Sequence, residues 1–264
     1  RRLNRKLYET KDADWKDMAD LHYDSYYILA EENLPYMLER LDKSKLNEQG
    51  KSIVSVLSGW DYQYAADTPA PSYFEEWFWD FYKLTFNEFY AMDTISDIRF
   101  PDSWVLNRIA TEYPDHEIFD NENTEQQETI DMLINQSFIN MMEELKGKDE
   151  ADLLWTKRNN TRINHLLNLP GFSRSNLNNP GRSGTLNATS GRNGPSWRMI
   201  VELKPGDVNA KGLYPGGQSG NPGSKFYDNM IDDWSQGNYY DLEFPKSKEE
   251  SLKEELFTIT LKNK

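Results

Sequence analysis

The chain has 264 residues, of which 30 are Lys or Arg and 44 are Asp or Glu, so its formal net charge at pH 7 is -14. This charge argues against nucleic acid and anionic membranes as partners, because both attract Lys and Arg. The mean hydropathy of -0.84 indicates a soluble protein, and no apolar run approaches the roughly 18 residues of a membrane span. The absence of Cys excludes disulfides, a thiolate nucleophile and Cys-ligated zinc.

The first part of the chain, 1–170, is predicted to be mostly helical. Apolar residues recur at helical spacing from position 15 to position 41. Asn33 is expected to cap the second half of this stretch, where Pro35 would fall in the first turn and be tolerated. A shorter helix is predicted to end at Gly59.

Two pairs of residues have the spacing of a capping box and predict the starts of further helices. They are Ser72 with Glu75, and Thr124 with Gln127. The second helix is expected to continue to Gly147. The apolar stripes behind both caps are typical of a buried core: Phe74, Trp77, Phe78 and Phe81 after the first, and Ile130, Leu133, Ile134, Phe138, Met141, Met142 and Leu145 after the second.

The composition changes after Pro170. Residues 171–196 are rich in Asn, Gly, Ser and Arg and predict a loop. The following region, 197–264, reads as strand, loop, helix and strand. Alternating apolar residues predict an interior strand at 197–203 and a second one at 257–261, both in one sheet. The whole is therefore predicted to be an α+β fold.

The stretch YPGGQSGNPG at 214–223 raises the question of a phosphate site. It lacks the Lys and Ser or Thr that complete a phosphate-binding loop, so that function is not favoured. Its glycines are expected to allow a sharp turn, and Pro222 and Gly223 to start a helix that ends at Gly237. Three polar residues are candidates for lining a substrate cleft, or for folding back on the backbone of the loop: Gln218, Ser219 and Asn221.

No catalytic constellation is complete within the sequence. The histidines, His22, His116 and His165, lack the spacing of a metal site. His22 and His165 are predicted to be hydrogen-bonded histidines on helices, His165 near a helix end. There is no Gly-x-Ser-x-Gly motif, and the many carboxylates allow no single acid–base pair to be chosen. No metal ligand and no catalytic residue is assigned.

Four stretches occur in a characteristic order. They are HYDSYYILAEENLPYML at 22–38, LSGWDYQYAADTPAPSYFEEW at 57–77, GPSWRMIV at 194–201 and PGGQSGNP at 215–222. Together with Arg2, Leu3 and Leu7 they resemble the C-terminal part of the large subunit of the penicillin acylase (penicillin amidase) family. The resemblance extends over nearly the whole chain and is most specific in the glycine-rich loop with its flanking elements.

The resemblance implies an N-terminal nucleophile hydrolase that cleaves a linear N-acyl amide bond. In that family the strands join a four-layer αββα core, and a self-cleaved precursor exposes an N-terminal Ser that attacks with its α-amine as base. A backbone N–H and an Asn stabilise the oxyanion. Both the Ser and this Asn would precede Arg1, so the chain alone is expected to be inactive. A family arginine near the Asn falls at Arg1 or just before it.

The resemblance also implies partners and a location. The partners are the small subunit with the N-terminal part of the large subunit, and a small N-acyl substrate. The family is usually exported, so a periplasmic or secreted location is expected. No cofactor is assigned, because the family's calcium site is not recognisable here, and the acyl and amine specificity stays open. Arg198 is expected to pair with a carboxylate in the sheet. The lack of an initiator Met or signal sequence indicates an excised piece or a processed product.

An alternative function belongs to another class, the non-catalytic carbohydrate-binding modules. It depends on the stretch FEEWFWDFY at 74–82, because exposed aromatic rings can stack on sugars. The relevant rings are Trp77, Trp79, Phe81 and Tyr82. Their helical spacing equally predicts a buried helix, so the exposure of these rings decides between the two.

Overall fold

The structure is a computed structural model that describes residues 1–91, 99–192, 194–251 and 259–262. The chain divides into two units. One consists of Arg1–Lys11 with Asp20–Pro195, and the other of Asp12–Ala19 with Ser196–Lys264.

The first unit is helical, as predicted. Its helices are α1 (Arg2–Glu9), α3 (Ile28–Arg40), α4 (Glu48–Ser58), α5 (Ala70–Thr85), α6 (Asn87–Ala91), α7 (Ser103–Glu112), α8 (Ile130–Glu144), α9 (Glu150–Leu153) and α10 (Trp155–Asn159). Helix α2 (Trp15–Tyr23) runs from residues of the second unit into the first. No described helix is long and apolar enough to cross a membrane.

Helices α5 and α8 form the centre of the first unit, and their apolar stripes are buried as predicted. Trp77 is fully buried, and its indole N–H donates to the Ile134 carbonyl across 3.1 Å. Its ring meets Phe138 edge to face at 4.9 Å. Trp77 thus packs against α8 with its indole N–H paired, as a buried indole requires.

The capping boxes were predicted at the wrong residues. Helix α5 begins at Ala70, after Pro69, so Ser72 lies buried inside it instead of capping it. Helix α8 begins at Ile130 and is capped by Thr129, whose hydroxyl accepts from the Met132 N–H. Pro71 lies in the first turn of α5, where a proline already has the backbone angle of a helix, and this signal outweighs the Ser-Glu spacing.

The helical stretch 15–41 is divided between Tyr23 and Ile28, and not at Asn33 as predicted. Helix α3 begins at Ile28, so Asn33 and Pro35 lie inside it, beyond the first turn. The buried Asn33 amide donates to the Leu29 carbonyl at 2.7 Å and accepts from the Tyr36 hydroxyl. Asn33 is thus satisfied within the helix and does not cap it. The predicted end of α4 at Gly59 is confirmed.

The stretch 171–196 is a loop, as predicted, and its described residues contain only a 3-10 turn at Pro170–Phe172 and isolated bridges. It is nevertheless packed into the first unit. Its polar residues Asn179, Thr185, Asn187 and Thr189 are buried. The Asn187 side chain donates to the Pro180 carbonyl at 2.7 Å, and Thr189 donates to the same oxygen at 2.9 Å. Polar side chains here replace the backbone pairing of a sheet.

The second unit contains a small antiparallel sheet in the order β1–β2–β3. The strands are β1 (Arg198–Lys204), β2 (Asp207–Leu213) and β3 (Tyr240–Leu242). The strand predicted at 197–203 is confirmed as β1, and it lies at an edge of the described sheet. Its interior position stays a prediction. Of the strand predicted at 257–261, residues 257 and 258 lie outside the described residues, and 259–262 are not in a strand.

Helix α11 (Ile231–Gln236) follows the glycine-rich loop and ends at Gly237, whose positive φ of 85° terminates it as predicted. The helix begins eight residues after Gly223, so the start predicted at Pro222 and Gly223 was wrong. Turns held by the side chains of Asn221 and Ser224 occupy this interval instead. A last short helix is α12 (Lys248–Ser251).

Candidate functional site

The glycine-rich loop carries the three residues predicted to line a cleft. The Ser219 hydroxyl accepts from the Asn221 N–H at 3.1 Å, and the Asn221 side-chain oxygen accepts from the Gly223 N–H at 2.9 Å. Both side chains therefore fold back on the loop, which is the other role considered for them. Gln218 is exposed. Of the three, Gln218 is the side chain whose position leaves it open to a ligand.

Close backbone contacts explain why the loop needs glycine. A Cβ at Gly217 would lie 2.1 Å from the Phe226 carbonyl oxygen. The same oxygen accepts from the Ser219 N–H at 3.0 Å, and the Gly216 carbonyl accepts from the Met230 N–H at 2.9 Å. The loop is thus closed onto the segment leading into α11, and a side chain at position 217 would separate them.

Arg198 is buried at the start of β1, with 4% of its surface exposed. Burial raises the pKa of Tyr239 above its ordinary value, and the guanidinium of Arg198, hydrogen-bonded to the phenol, opposes that rise. A phenol therefore lies beside this cation. The carboxylate partner predicted for Arg198 stays a prediction.

The three histidines lie in different structural settings. His116 accepts from the Ile118 N–H at 3.0 Å and caps the 3-10 turn Glu117–Phe119. His165 accepts from the Leu167 N–H at 3.2 Å in a loop, so the helix end predicted there was wrong. His22 lies in α2, half-buried. Among the residues that the structure describes, no group of His, Cys, Asp or Glu could hold a metal.

The first unit contains a polar cluster that no local sequence pattern predicted. Glu75, assigned to a capping box, instead accepts from Arg182 at 2.8 Å, from the Tyr64 hydroxyl at 2.5 Å and from the Trp79 indole at 2.9 Å. Arg182 and Glu75 are each only 15% exposed in their side chains. Because 107 residues separate the two, no local pattern could have revealed the pair.

Aromatic rings enclose this pair. The Arg182 guanidinium lies 4.4 Å from the centre of the Tyr27 ring. Burial raises the pKa of Tyr27 to about 12, with Arg182 opposing the rise and Glu75 adding to it. Gly184 has a positive φ of 104°, and a Cβ there would come within 2.9 Å of the Tyr27 ring. The left-handed glycine thus lets the backbone close over the ring.

The cluster joins the loop at 171–196 to the segment Trp60–Tyr64. The Gly181 N–H donates to the Tyr64 carbonyl at 2.8 Å, and the Trp155 indole donates to the Gly181 carbonyl at 2.8 Å. Each charged group is already occupied by a partner in the protein. The cluster therefore holds these backbone segments together.

The arginines at the start of the chain are paired with acidic residues of the first unit. Arg2 makes a two-pronged contact with Asp24, with N–O distances of 2.6 to 3.1 Å, and lies 4.1 Å from the centre of the Tyr26 ring. Arg1 is more exposed and pairs with Glu32. Of these two, Arg2 is the fixed, partly buried cation.

The aromatic platform required by a carbohydrate-binding module is absent from α5. Trp77 and Phe81 are fully buried, Tyr82 is 5% exposed and Trp79 is packed against the core. The Trp79 indole is also engaged by Glu75. The alternative function therefore loses the observation on which it depended.

Each unit contains a cleft lined by described residues. The larger, of about 300 Å³, lies in the second unit. It is lined by Leu203, Lys204, Gly206, Asp207, Val208, Phe244, Pro245 and Lys246. The smaller, of about 270 Å³, lies between the end of α3 and α8 in the first unit. Neither contains Gln218, Ser219 or Asn221.

Residues 1–251 match the Penicillin amidase family, and the chain belongs to this family. Among solved structures it is similar to the thermostable penicillin G acylase from Alcaligenes faecalis, with a TM-score of 0.52 and 14% sequence identity. That match covers 91% of this chain and 48% of the acylase chain, so this chain spans about half of its structural relative. At this identity the match shows the fold. No curated protein sequence matches significantly.

Proposed function

We propose that residues 1–264 are the C-terminal part of an amide hydrolase of the penicillin acylase type. The observation that carries the proposal is the family match over residues 1–251, combined with a structural match to only 48% of an acylase chain. The Ser nucleophile, its α-amine base and the oxyanion Asn would be supplied by a segment preceding Arg1. The chain itself would supply scaffold and part of the substrate cleft.

The residues of this chain are consistent with a supporting role, in which the catalytic groups come from the preceding segment. Cys is absent from the sequence. The partly buried ion pair of Glu75 with Arg182 is enclosed by aromatic rings, and Glu75 accepts from further protein donors. Such a pair fixes the geometry of neighbouring segments, as catalytic positioning requires. The substrate would be a small N-acyl compound with a linear amide bond, and the location periplasmic or extracellular.

The test compares two proteins with the same substrates. The full-length precursor and the 264-residue chain are assayed with a chromogenic phenylacetyl anilide and a fatty-acyl anilide. We expect turnover only from the processed full-length protein, because loss of a single oxyanion donor already lowers the rate by about 10²–10³-fold. Mass spectrometry of the active form should show a new N-terminal Ser.

Turnover by the 264-residue chain would contradict the proposal if replacing its own serines by alanine, one at a time, abolished it. The nucleophile would then lie within these residues. Lack of amide hydrolysis in both proteins, with correct folding shown by circular dichroism, would remove the proposed activity altogether.

The cleft-lining role proposed for Gln218, Ser219 and Asn221 has its own test in the full-length enzyme. The exposed Gln218 is the strongest candidate, since Ser219 and Asn221 bond to the loop. Gln218→Ala should raise KM about tenfold with kcat nearly unchanged, as expected when a binding contact is lost. Lys225→Ala, a neighbouring exposed change, serves as the control. Unchanged KM in both variants would exclude Gln218 from the cleft.

A further inference from the structure

The first unit has a loop, residues 163–174, from which several apolar side chains project into solvent. Leu166, Leu167 and Leu169 are 96%, 75% and 43% exposed, and Phe172 is 47% exposed. We refer to residues 163–174 as the leucine loop. Single apolar residues are normal on a protein surface, but four so close together in one loop form a patch, and such a patch marks an interaction site.

Hydrogen bonds within the leucine loop hold its backbone. Ile163 and Arg174 exchange backbone hydrogen bonds of 2.8 and 3.0 Å at its two ends. Between them, the His165 carbonyl accepts from the Asn168 N–H at 2.7 Å, and the His165 ring accepts from the Leu167 N–H at 3.2 Å. Backbone groups that are paired in this way can enter an apolar medium at low cost, because they lose no hydrogen bond there.

The part of the chain that contains the leucine loop is basic, although the whole chain is acidic. Residues 153–201 contain seven Lys or Arg and no Asp or Glu, whereas the chain has a formal net charge of -14. Two of these cations, Arg158 and Arg182, are paired with Glu76 and Glu75. Three others form no ion pair with any residue that the structure describes: Lys157, Arg162 and Arg192.

Backbone contacts bring the segments that carry these three cations beside the ends of the leucine loop. Arg162 directly precedes the loop, and its N–H donates at 3.0 Å to the carbonyl of the residue before Arg192. Lys157 lies in α10, and the hydroxyl of its neighbour Thr156 donates at 3.1 Å to the carbonyl of Leu177, shortly after the loop ends. An exposed apolar loop is therefore flanked by unpaired cations.

We propose that the leucine loop inserts into the surface of an anionic lipid bilayer, with Lys157, Arg162 and Arg192 contacting the headgroups. Apolar side chains gain from burial at the boundary with the acyl chains, and neighbouring cations gain from the negative surface potential. The net charge of the chain acts against this contact. Its influence is screened beyond about 10 Å at 0.1 M salt, so the residues nearest the bilayer decide the outcome.

The features of the loop favour lipid over a protein partner. An interface between proteins carries roughly one hydrogen bond per 100–200 Å², and the N–H groups of Leu167 and Asn168 are already used within the loop. Acyl chains require no hydrogen bonds. The contact is also independent of the proposed amide hydrolysis, because none of its residues is assigned to catalysis or to the substrate cleft.

The first test measures co-flotation of the full-length protein with vesicles of phosphatidylcholine, alone or with about 30% phosphatidylglycerol as the anionic lipid. We expect binding in 0.1 M salt to be about tenfold or more stronger on the anionic vesicles. Leu166→Gln/Leu167→Gln should weaken this binding about tenfold or more, because two apolar side chains leave the bilayer. The control is Ile139→Gln, since Ile139 is also an exposed apolar residue of the first unit.

The second test removes charge. Lys157→Gln/Arg192→Gln should weaken binding to the anionic vesicles about tenfold or more. The control, Lys51→Gln/Arg108→Gln, removes the same charge from two cations that pair within their own helices, and should bind as the unmodified protein does. Raising the salt concentration to about 0.5 M should weaken binding of the unmodified protein and reduce the difference between the two variants.

A third measurement locates the contact. An environment-sensitive fluorophore attached at Leu167→Cys should shift its emission to shorter wavelength when anionic vesicles are added, whereas the same fluorophore at Ile139→Cys should not. The unmodified protein, treated alike, is the blank. Circular dichroism checks that each variant is folded, and if the double leucine variant is not, the fluorophore decides.

Three results would overturn the proposal. The first is a full-length protein that does not bind the anionic vesicles. The second is binding that the folded Leu166→Gln/Leu167→Gln variant leaves unchanged, since another surface would then hold the lipid. The third is a shift of the fluorophore at position 167 that grows with protein concentration without lipid, which would identify a second copy of the protein as the partner.

Discussion

The two units of the chain bury their apolar residues in different ways. In the first unit one contiguous cluster extends from Tyr27 to Trp155 and contains most of the large aromatic side chains. Among the described residues of the second unit, the buried apolar side chains are Ile200, Ala210, Leu213, Ile231 and Trp234. The first unit thus has a large aromatic core, whereas the second buries few apolar side chains.

This difference separates two sources of stability. Helices that pack on each other bury their stripes within the unit, and each buried large side chain contributes roughly 1.5–3 kcal/mol. A three-stranded sheet with few buried residues gains little in this way and needs a further layer. Changes in the first unit should therefore act on its own stability, and changes in the second should act on local order and assembly.

The largest effect is expected for Trp77→Ala. The side chain is fully buried between α5 and α8 and its indole N–H is hydrogen-bonded. Its removal should lower the free energy of unfolding by about 3–5 kcal/mol in urea titrations followed by circular dichroism. The control is Trp104→Ala, because Trp104 is 58% exposed. A loss below about 0.5 kcal/mol for Trp77→Ala would show that the first unit does not depend on this core.

The next effect concerns the Glu75–Arg182 pair. Arg182→Met should lower the free energy of unfolding by about 3 kcal/mol, because it leaves the Glu75 carboxylate enclosed by aromatic rings without its cation. Arg40→Met is the matched control, since Arg40 pairs with Asp131, whose side chain is 58% exposed, and should cost under about 1 kcal/mol. Equal losses in the two variants would mean that enclosure does not increase the contribution of the Glu75–Arg182 pair to the free energy of unfolding.

Stability at alkaline pH provides a second test of the cluster around Glu75 and Arg182. The folded protein raises the pKa of Tyr27 to about 12 from an ordinary value of 10.0. The associated stabilisation is complete below pH 10 and is lost as the pH rises towards 12, because the unfolded chain ionises first. The loss attributable to Tyr27 is about 2–3 kcal/mol. Tyr27→Phe should flatten this decline in unfolding curves measured from pH 9 to 12. An unchanged decline would assign it to other groups, such as Tyr64, whose pKa burial also raises.

Sequence periodicity predicted the first unit well because its helices are amphipathic and their information is local. The stripes of α5 and α8 and the stop at Gly59 are confirmed. Helix starts were less predictable. Both capping-box spacings occur where other residues define the start, Pro71 in the first turn of α5 and Thr129 as the cap of α8.

The second unit and the polar cluster were predicted less well, for physical reasons. Strand β2 contains polar residues at alternate positions and a glycine, so its sequence has no clear strand pattern and it was not predicted. Strand β3 has three residues, too few for a pattern. The contact of Glu75 with Arg182 depends on tertiary folding, and the use of Ser219 and Asn221 depends on loop geometry. Neither kind of information is present in local spacing.

A smaller effect is expected in the glycine-rich loop of the second unit. Gly217→Ala would place a methyl group against the Phe226 carbonyl, and such overpacking costs about 1–3 kcal/mol. The amides of Ser219 and Met230, which close the loop, should exchange with deuterium at least tenfold faster. Gly220→Ala is the control, because a Cβ there has no neighbour within 4 Å. Equal exchange in both variants would show that the close approach at Gly217 does not hold the loop.

The smallest effect is expected at α1, which has no buried residue although it belongs to the first unit. Its contacts are ion pairs, among them Arg5 with Glu31 at 2.9 Å. The hydrogen bond from Arg5 is the main reason that the pKa of Glu31 is lowered, so the stabilisation is present above the ordinary pKa and is lost as the pH falls through the lowered value. Arg5→Gln should weaken docking of the helix by about 0.2–1 kcal/mol.

That range of free energy corresponds to amide exchange that is about 1.4- to 5-fold faster at residues 2–9. Raising the salt concentration from about 0.05 to 0.5 M should produce a similar increase in the unmodified chain, because salt screens exposed ion pairs. The amides of α5, held by apolar packing, should not respond to salt. Arg108→Gln is the matched control, since Arg108 pairs with Glu112 within its own helix and docks nothing. If exchange in α1 is insensitive to both salt and Arg5→Gln, the exposed pair of Arg5 with Glu31 does not attach this helix. The partly buried ion pair of Arg2 with Asp24, which salt screens less, must then be sufficient to hold it.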